Sequence, residues 1–449
     1  MRSESPSKSG QFTFFNIVDQ LDPNHPLMKL GKVFPWNYLE KEYAPLYSTK
    51  GRKAKPIRLM SGLLLLKQMY NLSDESVIEQ WKMNPYYQVF CGETEFHILP
   101  PCHSTELVKF RQRLGKEGVE KLFFISVRLH GDAAEEDTVL VDTTVQEKAI
   151  TYPTDTKLAI KIINRLNKLA KQNGIRQRRT FIKEVKELRL TCRHFRHVKR
   201  KGKARRALKR LRTIAGISLR ELQRKLPEAV LLREKQRFLQ YEQVLAQNPK
   251  DKDKIYSLHE PDVYCVGKGK DHKPYEYGRK ASIVTTLDSK IIVGVESHNN
   301  HTHDSKTLKP ALDSANRMRK TPVASAVVDR GYRGCKKQAD AEVIIPNAPL
   351  KRDSKAERKH KQTLCRQRAG IEPVIGHLKQ DFRLSRNWLK GSTGDAVNLL
   401  MAATAWNLRK WLIIFFCFEK DGGIYLLAFK LDQYGAVSIY TTYGSTTES

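Results

Sequence analysis

Three acidic residues have the side-chain type and the setting that divalent-metal chemistry needs. Asp142 follows the apolar residues 139–141 and is predicted within a strand, and Asp329 follows the apolar residues 326–328 and is predicted to end a strand. Glu372 lies in a later basic segment that is predicted to be helical. Carboxylates are the ligands that Mg²⁺ takes in proteins, and several together can hold two ions about 3.5–4 Å apart for phosphoryl chemistry. The alternative for any one of these acids, taken alone, is an ordinary strand end or a helix ion pair.

A sheet and a basic helix must position these acids. Strands are predicted at residues 138–145, 263–266, 279–286, 291–297, 323–329 and 343–345, and helices at 304–319, 355–384 and 396–418. Pro373 is expected to kink the second of these helices or to begin a new segment there. The order predicts an α/β (α+β) fold, a mixed sheet with flanking helices, interrupted after its first strand.

The N-terminal region is predicted to be helical. Apolar residues between 57 and 69 follow helical spacing, Ser73 can cap a second helix, and Ser104 can cap a third. Arg111 and Arg113 lie off the apolar face of this third helix. Short helices with tight breaks and a basic last member resemble a helix-turn-helix DNA-binding module, and plain packing of three amphipathic helices is the alternative.

The positive charge is concentrated in one region. The 449 residues include 81 Lys and Arg against 48 Asp and Glu, a formal charge of +33. Residues 157–250 hold 29 Lys and Arg against six Asp and Glu, which is +23 of that total. Leucine-rich stripes in this region predict several basic amphipathic helices. Such a one-sided charge indicates a polyanion, nucleic acid first and an anionic membrane second, rather than a helical hairpin charged only for solubility.

Cysteine content and hydropathy indicate a cytoplasmic protein. The seven Cys are an odd number without a CxxC pair, which favours reduced thiols over a disulfide framework. The N-terminus has no apolar signal core. The most apolar run, residues 411–418, is eight residues long and too short to span a bilayer.

Two clusters of potential metal ligands have a simpler explanation. The first cluster contains Cys91, His97, Cys102 and His103, and the spacing of these residues does not match that of zinc ligands. The second cluster is expected to close a strand and cap the next helix, with contact to a metal ligand or to DNA as the alternative, and it contains His298, His301, His303 and Asp304.

Several motifs together resemble the DDE insertion-sequence transposases of the insertion-sequence four/five superfamily. Arg368, Glu372 and Lys379 have the spacing of the tail of the family signature Y-(2)-R-(3)-E-(6)-K, although Cys365 stands at the Tyr position. Residues 141–144 resemble the first-Asp strand of this family, and residues 328–332 resemble its second-Asp motif. Further similar segments are residues 51–66, 103–114, 258–261 and 275–280. The resemblance covers roughly residues 30–150 and 250–410.

The resemblance implies a ribonuclease-H-like catalytic core and a division of the chain. The expected parts are an N-terminal helical DNA-binding domain (1–130), the first part of the catalytic domain (131–156), a basic helical insertion (157–250), the rest of the catalytic domain (251–420) and a C-terminal tail (421–449). Only 42 residues separate Asp329 from Glu372, so there is no room for the large β-rich insertion that some relatives carry there.

The resemblance also implies roles for individual residues. Asp142, Asp329 and Glu372 would be catalytic and would hold two Mg²⁺ or Mn²⁺ ions. Water would hydrolyse the phosphodiester at the transposon end, and the freed 3′-hydroxyl would attack target DNA. The residues expected to contact DNA are Arg368, Lys379, Lys268, Lys270, Arg330, Arg111 and Arg113.

The expected partner is double-stranded DNA, at the terminal inverted repeats of the transposon and at the target. A homodimer or higher assembly on DNA is expected, with no membrane, in a prokaryotic cytoplasm and on the nucleoid when bound. One alternative is a catalytically inactive, transposase-derived DNA-binding protein. Another is a structural RNA-binding protein that uses the 157–250 helices, although the chain lacks an aromatic RNA-binding strand motif.

Overall fold

The chain forms two compact units in the structure, which is a computed structural model. It describes residues 16–48, 50–51, 53–267, 273–300, 302–334, 336–419, 425–431 and 437–443. The first unit comprises residues 1–147 and 279–449, and the second comprises residues 148–278.

Helices account for most of the described residues. They are α1 (Pro26–Val33), α2 (Trp36–Tyr43), α3 (Ile57–Met69), α4 (Asp74–Met83), α5 (Pro85–Phe90), α6 (Ser104–Arg128), α7 (Asp155–Gln172), α8 (Ile182–Cys192), α9 (Lys201–Lys225), α10 (Glu228–Ala246), α11 (Asp304–Met318), α12 (Lys355–Ala369), α13 (Ile371–Gln380) and α14 (Gly391–Glu419). The strands are β1 (Thr138–Glu147), β2 (Tyr264–Gly267), β3 (Tyr275–Thr286), β4 (Ile292–Ser297), β5 (Ser325–Val327), β6 (Lys337–Gln338), β7 (Ala341–Ile344), β8 (Tyr425–Leu431) and β9 (Val437–Tyr443).

The N-terminal helices begin and end largely where the sequence predicts. Helix α3 occupies residues 57–69, and Asn71 then adopts a left-handed conformation with φ of 55°. Ser73 caps α4 by accepting a hydrogen bond from the Ser76 amide. The predicted Ser104 cap is wrong, because His103 caps α6 and forms a capping box with Glu106. The imidazole can take the capping place because its Nδ1 accepts from the backbone as a side-chain oxygen would.

The mixed sheet of the first unit confirms the predicted mixed α/β character. Its strand order is β3-β1-β5-β7-β6, with β4 on the other side of β3. Strands β1 and β5 pair in parallel, as do β5 and β7, whereas β3 and β4 are antiparallel. This order is consistent with a ribonuclease-H-like core, in which the first strand lies between an antiparallel neighbour and a parallel one. Strands β8 and β9 form a separate antiparallel pair.

The core of the first unit lies between this sheet and helices α3, α6, α11 and α14. Helix α14 is fixed to β4 by Asn407, whose amide bonds both the N–H and the C=O of Ile292, at 2.9 and 2.8 Å. Gly294 allows α11 to approach β4, because a Cβ there would lie 2.7 Å from the backbone nitrogen of Ala315. These contacts fix the sheet against helices α11 and α14, and so hold in place the side chains that the sheet carries.

The second unit has a hydrophobic core of its own. Leu158, Ile162 and Leu166 of α7 pack against Leu211 and Leu219 of α9, together with residues from α8 and α10. The amphipathic stripes predicted for this basic region are therefore confirmed. The unit begins and ends at one place, since the Lys148 amide donates to the Tyr277 carbonyl at 3.0 Å, and β2 pairs with the first residues of β3 beside it.

In the part of the chain that the structure describes, no helix is long and apolar enough to cross a membrane. The predicted turn residues Lys268 and Lys270 lie outside the described residues.

Candidate active site

The pairing of β1 with β5 places the first two acids side by side. The strands are parallel, with Leu140 opposite Val327. Asp142 and Asp329 each lie two residues beyond this pair. Since alternate residues of a strand share one face, continuing the register puts the two carboxylates opposite each other on the face of Leu140 and Val327.

Helix α13 brings the third acid to the same face. Ile371 is buried against Leu140 and Val327 in a small apolar cluster. Glu372 follows Ile371 directly and is exposed. The buried contact of Ile371 therefore positions Glu372 near Asp142 and Asp329. Pro373 lies in the first turn of α13, and α12 ends at Ala369. The predicted break is therefore confirmed, because proline is tolerated in a first turn but not in a helix interior.

One guanidinium lies between all three carboxylates. Arg368, in the last turn of α12, places its Nη1 2.7 Å from Glu372 Oε1. Its Nη2 is 3.2 Å from Asp142 Oδ2 and 3.8 Å from Asp329 Oδ2. The side chains of Asp142 and Arg368 are 15% and 25% exposed, whereas those of Asp329 and Glu372 are 37% and 61% exposed, so the cluster is accessible to solvent mainly at the last two acids. The three acids predicted from the sequence therefore converge, with a cation at their centre.

The backbone fixes the second oxygen of each aspartate. The Thr143 amide donates to Asp142 Oδ1 at 2.7 Å, and the Gly331 amide donates to Asp329 Oδ1 at 2.8 Å. Each carboxylate thus directs its Oδ2 towards the shared cation. Glycine is needed at 331, because a Cβ would lie 2.9 Å from Asp329 Oδ1 and 3.2 Å from Asp304 Oδ2.

Asp304 is a fourth acid at this site, and its role here was missed in the sequence. Its Oδ1 accepts from Thr143 Oγ1 and from Lys280 Nζ, both at 2.9 Å. Burial alone would raise the pKa of Asp304, but these hydrogen bonds outweigh it and hold the pKa below its usual value. A helix start was the preferred interpretation of this residue from the sequence. Its partners lie on β1 and β3, 161 and 24 residues away, so no local pattern could reveal them.

His298 and His303 have the structural roles that the sequence predicted, and His301 lies outside the described residues. His298 follows β4 and shares a hydrogen bond of 2.8 Å with Ser282. Burial and the adjacent Lys280 lower its pKa to about 4, so it is neutral at pH 7. His303 caps α11 through the Ser305 amide.

Two of the predicted DNA-contacting residues lie on the segments that carry the acids. Arg330 follows Asp329 and is exposed. Lys379 lies on α13 with Glu372 and is partly exposed. Arg330 is therefore next to the acids, whereas Lys379 lies seven residues beyond Glu372 along the helix.

Arg111 and Arg113, the two predicted DNA-contacting residues of the N-terminal helices, have different surroundings in the structure. Arg111 is 8% exposed and forms a bidentate ion pair with Asp74, at 2.7 and 2.6 Å, so its guanidinium is occupied inside the helices. Arg113 is exposed and lies over the ring of Tyr47, 4.4 Å from its centroid. It lines a cleft of about 400 Å³ with Lys55 and Lys109. Of the two, only Arg113 is presented on a basic surface.

The donor set suits a hard divalent cation. Among the described residues, no three His, Cys, Asp or Glu side chains are arranged to ligate one ion as they stand. The guanidinium of Arg368 fills the space between the acids and supplies the positive charge there. Carboxylate oxygens are the ligands that Mg²⁺ and Mn²⁺ prefer. The residues therefore fit such ions in chemistry and charge, provided that Arg368 turns away.

A sheet of this order, with one acid within a strand, a second just after the neighbouring parallel strand and a third on a following helix, defines a class of proteins with ribonuclease-H-like cores. Comparisons with known sequences agree with this class. Residues 15–113 match the family described as "Transposase domain (DUF772)", and residues 246–408 match the family described as "Transposase DDE domain".

One curated protein is similar to part of this chain. The "Uncharacterized protein ORF8 in nfe locus" of Rhizobium meliloti is 36% identical over 205 residues, covering 44% of this chain and 99% of the relative. No solved structure gives a significant match. The chain belongs to the DDE transposase family. The resemblance seen in the sequence is thereby confirmed, and transposase activity on DNA is the function that this family implies.

Proposed function

We propose that this transposase cleaves and joins DNA at the cluster of Asp142, Asp329 and Glu372. The observation that supports this most is the convergence of the three carboxylates on one guanidinium. The acids come from three segments that are far apart in the chain. Because all three are carboxylates, they cannot neutralise one another. Such a concentration of negative charge is costly unless a cation is part of the function.

The chain's own residues would prepare the reaction by positioning charge. Asp142, Asp329 and Glu372 would hold two Mg²⁺ or Mn²⁺ ions. When bound, these ions would supply Lewis-acid stabilisation of charge on the phosphodiester oxygens. The amides of Thr143 and Gly331 keep the aspartates oriented, so little reorganisation is needed as charge develops. Arg368, once released from the acids, has the planar fork that binds a phosphate through two hydrogen bonds.

The substrate would be the terminal inverted repeats of the element, followed by target DNA. Hydrolysis at the repeat would free a 3′-hydroxyl, which would then attack a target phosphodiester in line. Arg330 and Lys379, on the segments that carry the acids, and Arg113, in the N-terminal helices, would bind DNA phosphates. The basic helical insertion would add non-specific affinity. We expect a homodimer or higher assembly on DNA, because two ends must be brought together.

The test is cleavage of a plasmid that carries the reading frame with its natural flanking DNA. The variants Asp142→Ala, Asp329→Ala and Glu372→Ala should each reduce strand cleavage by about 10²–10⁴-fold, since each removes several kcal/mol of transition-state stabilisation. Asp340→Ala is the matched control, because Asp340 is 95% exposed in the same unit and lies outside the cluster.

DNA binding, measured in parallel, separates the alternatives. Binding without cleavage by the wild-type chain would indicate a transposase-derived DNA-binding protein. Cleavage that survives the first two aspartate substitutions would contradict the proposed site.

A further inference from the structure

The connection between α8 and α9, together with the first residues of α9, forms a strongly cationic surface of the second unit. We call residues 193–206 the basic turn. It contains eight Lys and Arg and no Asp or Glu, and all eight side chains are exposed. In the part of the chain that the structure describes, none of the eight forms an ion pair with an acid. The turn therefore presents unneutralised positive charge to solvent.

Two apolar side chains project from this cationic surface. Val198 is 91% exposed, the highest value of any large apolar side chain among the described residues, and Phe195 is 41% exposed. Burial in the unit's own core therefore explains neither of them. Electrostatic attraction to a polyanion does not require them either, because attraction needs only the charges.

The basic turn is held by hydrogen bonds rather than left free. The His197 amide donates to the His194 carbonyl at 3.0 Å, and the Lys201 amide donates to the His197 carbonyl at 2.9 Å. At its base, the thiol of Cys192 donates to the Ala204 carbonyl at 3.8 Å. Val198 is thus presented from a bonded turn, which reduces the entropy lost on binding.

We propose that the basic turn enters the minor groove of duplex DNA and that Val198 and Phe195 insert between base pairs and bend the duplex. This rests on the proposed function, since the DNA is the substrate of a transposase. Proteins that bend DNA from the minor groove combine cations for the phosphates with apolar wedges that unstack a base step. A lipid surface is the weaker fit, because interfacial binding needs an extended apolar helix face rather than two side chains among cations.

The bend can be measured by energy transfer between dyes at the two ends of a mixed-sequence duplex, with the full-length protein. Wild-type protein should bend the duplex by about 20–90°. The double variant Phe195→Ala and Val198→Ala should leave it nearly straight. The salt dependence of binding should stay the same, because no cation is removed. Leu232→Ala with Leu239→Ala is the matched control, since both leucines are exposed on α10 of the same unit.

Two further variants separate the wedge from the charge. Val198→Lys adds a cation and should preserve affinity while reducing the bend, because Phe195 alone remains to insert. Lys199→Gln with Lys201→Gln and Lys203→Gln should lower the slope of log K against log salt by up to about 3, because each phosphate contact contributes about 0.9. Unfolding curves of all variants should match wild type, since every changed side chain is exposed.

The outcomes distinguish this inference from the proposed function. An unbent wild-type complex, or an equal bend with both apolar side chains removed, would overturn the wedge and leave the catalytic proposal standing. If the protein bound phosphatidylserine vesicles more tightly than DNA, and the double variant lost this binding, the basic turn would be a membrane-binding segment instead. Asp142→Ala should bend DNA as wild type does, so loss of cleavage alone does not affect the result.

Discussion

Arg368 determines how the acids behave at the scale of single residues. The family signature places Arg368 four residues before Glu372. From this spacing alone, one would expect an ion pair between these two residues on a helix and no further contact. In the structure the same guanidinium also reaches Asp142 and Asp329. It therefore acts as the counterion of the whole cluster, in the place that we propose for a metal ion. The cluster can remain assembled without metal for this reason.

Replacing this arginine should make the fold depend on metal. In metal-free buffer, Arg368→Gln should lose about 1–3 kcal/mol of unfolding free energy, because three carboxylates lose their shared partner. Added Mg²⁺ should then raise the melting temperature more in the variant than in wild type, where the ion must displace the guanidinium. Arg330→Gln is the control, an exposed arginine next to the cluster. Equal stabilisation of both proteins by Mg²⁺ would contradict this role.

Asp304 should act as a positioning residue for Asp142. It bonds Thr143 directly and Lys280 from the next strand, without touching Arg368. Asp304→Asn keeps the shape but removes the charge, and should weaken the apparent Mg²⁺ affinity about 10–100-fold, as loss of outer-shell partners does. Mn²⁺ binding followed by electron paramagnetic resonance measures this without turnover. Asp313→Asn, on the same helix, should bind as wild type does; an unshifted Asp304→Asn titration would exclude the role.

Buried ion pairs fix the helices at the scale of elements. Asp74 at the start of α4 pairs with Arg111 of α6 and with Lys67 of α3, which joins three helices. Burial opposes the charge on Asp74, but the bonds from Arg111 and Lys67 outweigh it and lower the pKa to about 2. Burial and the nearby Arg111 lower the pKa of Lys67 to about 8, so both partners are charged at pH 7.

Removing the charge of Asp74 should cost stability in a defined pH range. Because the folded-state pKa lies below the unfolded value of 3.8, the stabilisation is complete above about pH 5 and is lost as the pH falls towards 2. Asp74→Asn should therefore be about 2 kcal/mol less stable than wild type at pH 7, and the difference should shrink between pH 4 and pH 2. Denaturant unfolding across this range measures it, with the exposed Glu75→Gln as control. A difference that is constant with pH would show that charge is not the cause.

Elements were predicted more fully from the sequence than the contacts between them. The apolar runs before Asp142 and Asp329 and the break at Pro373 have local signals, so their strands and helices were found. The contact of Arg368 with all three acids has no such signal, because it depends on a strand pairing between residues 187 apart. Asp304 was missed for the same reason. His103 was missed as a cap because serine is the commoner capping residue.

At the scale of the whole molecule, most of the net positive charge lies in one of the two units. Residues 157–250 carry +23 of the total +33, and they lie in a unit with its own core. The chain enters and leaves this unit at Lys148 and Tyr277, which are hydrogen-bonded to each other. A unit with adjacent ends is of the kind that domain insertion tolerates. DNA affinity and catalysis could thus reside in separable parts.

Replacing residues 148–278 by a short Gly-Ser linker should leave the first unit folded, since its core has no residue from the second. Binding of duplex DNA should weaken, and the slope of log K against log salt should fall by at least about 3, because the cations that release counterions are lost. Filter binding at several salt concentrations measures the slope. An unchanged slope would show that the insertion serves another purpose, such as contact between protein molecules.

The most direct test of the central claim is whether the carboxylate of Asp142 acts by holding a metal ion. Asp142→Cys replaces a hard ligand by a thiolate, which favours Mn²⁺ over Mg²⁺. We predict that this variant has lost strand cleavage in Mg²⁺ and regains a measurable part of it in Mn²⁺, whereas Asp142→Ala is inactive in both. Equal activity of the cysteine variant in the two metals, or equal inactivity of both variants in Mn²⁺ while the wild type cleaves, would contradict metal binding at Asp142.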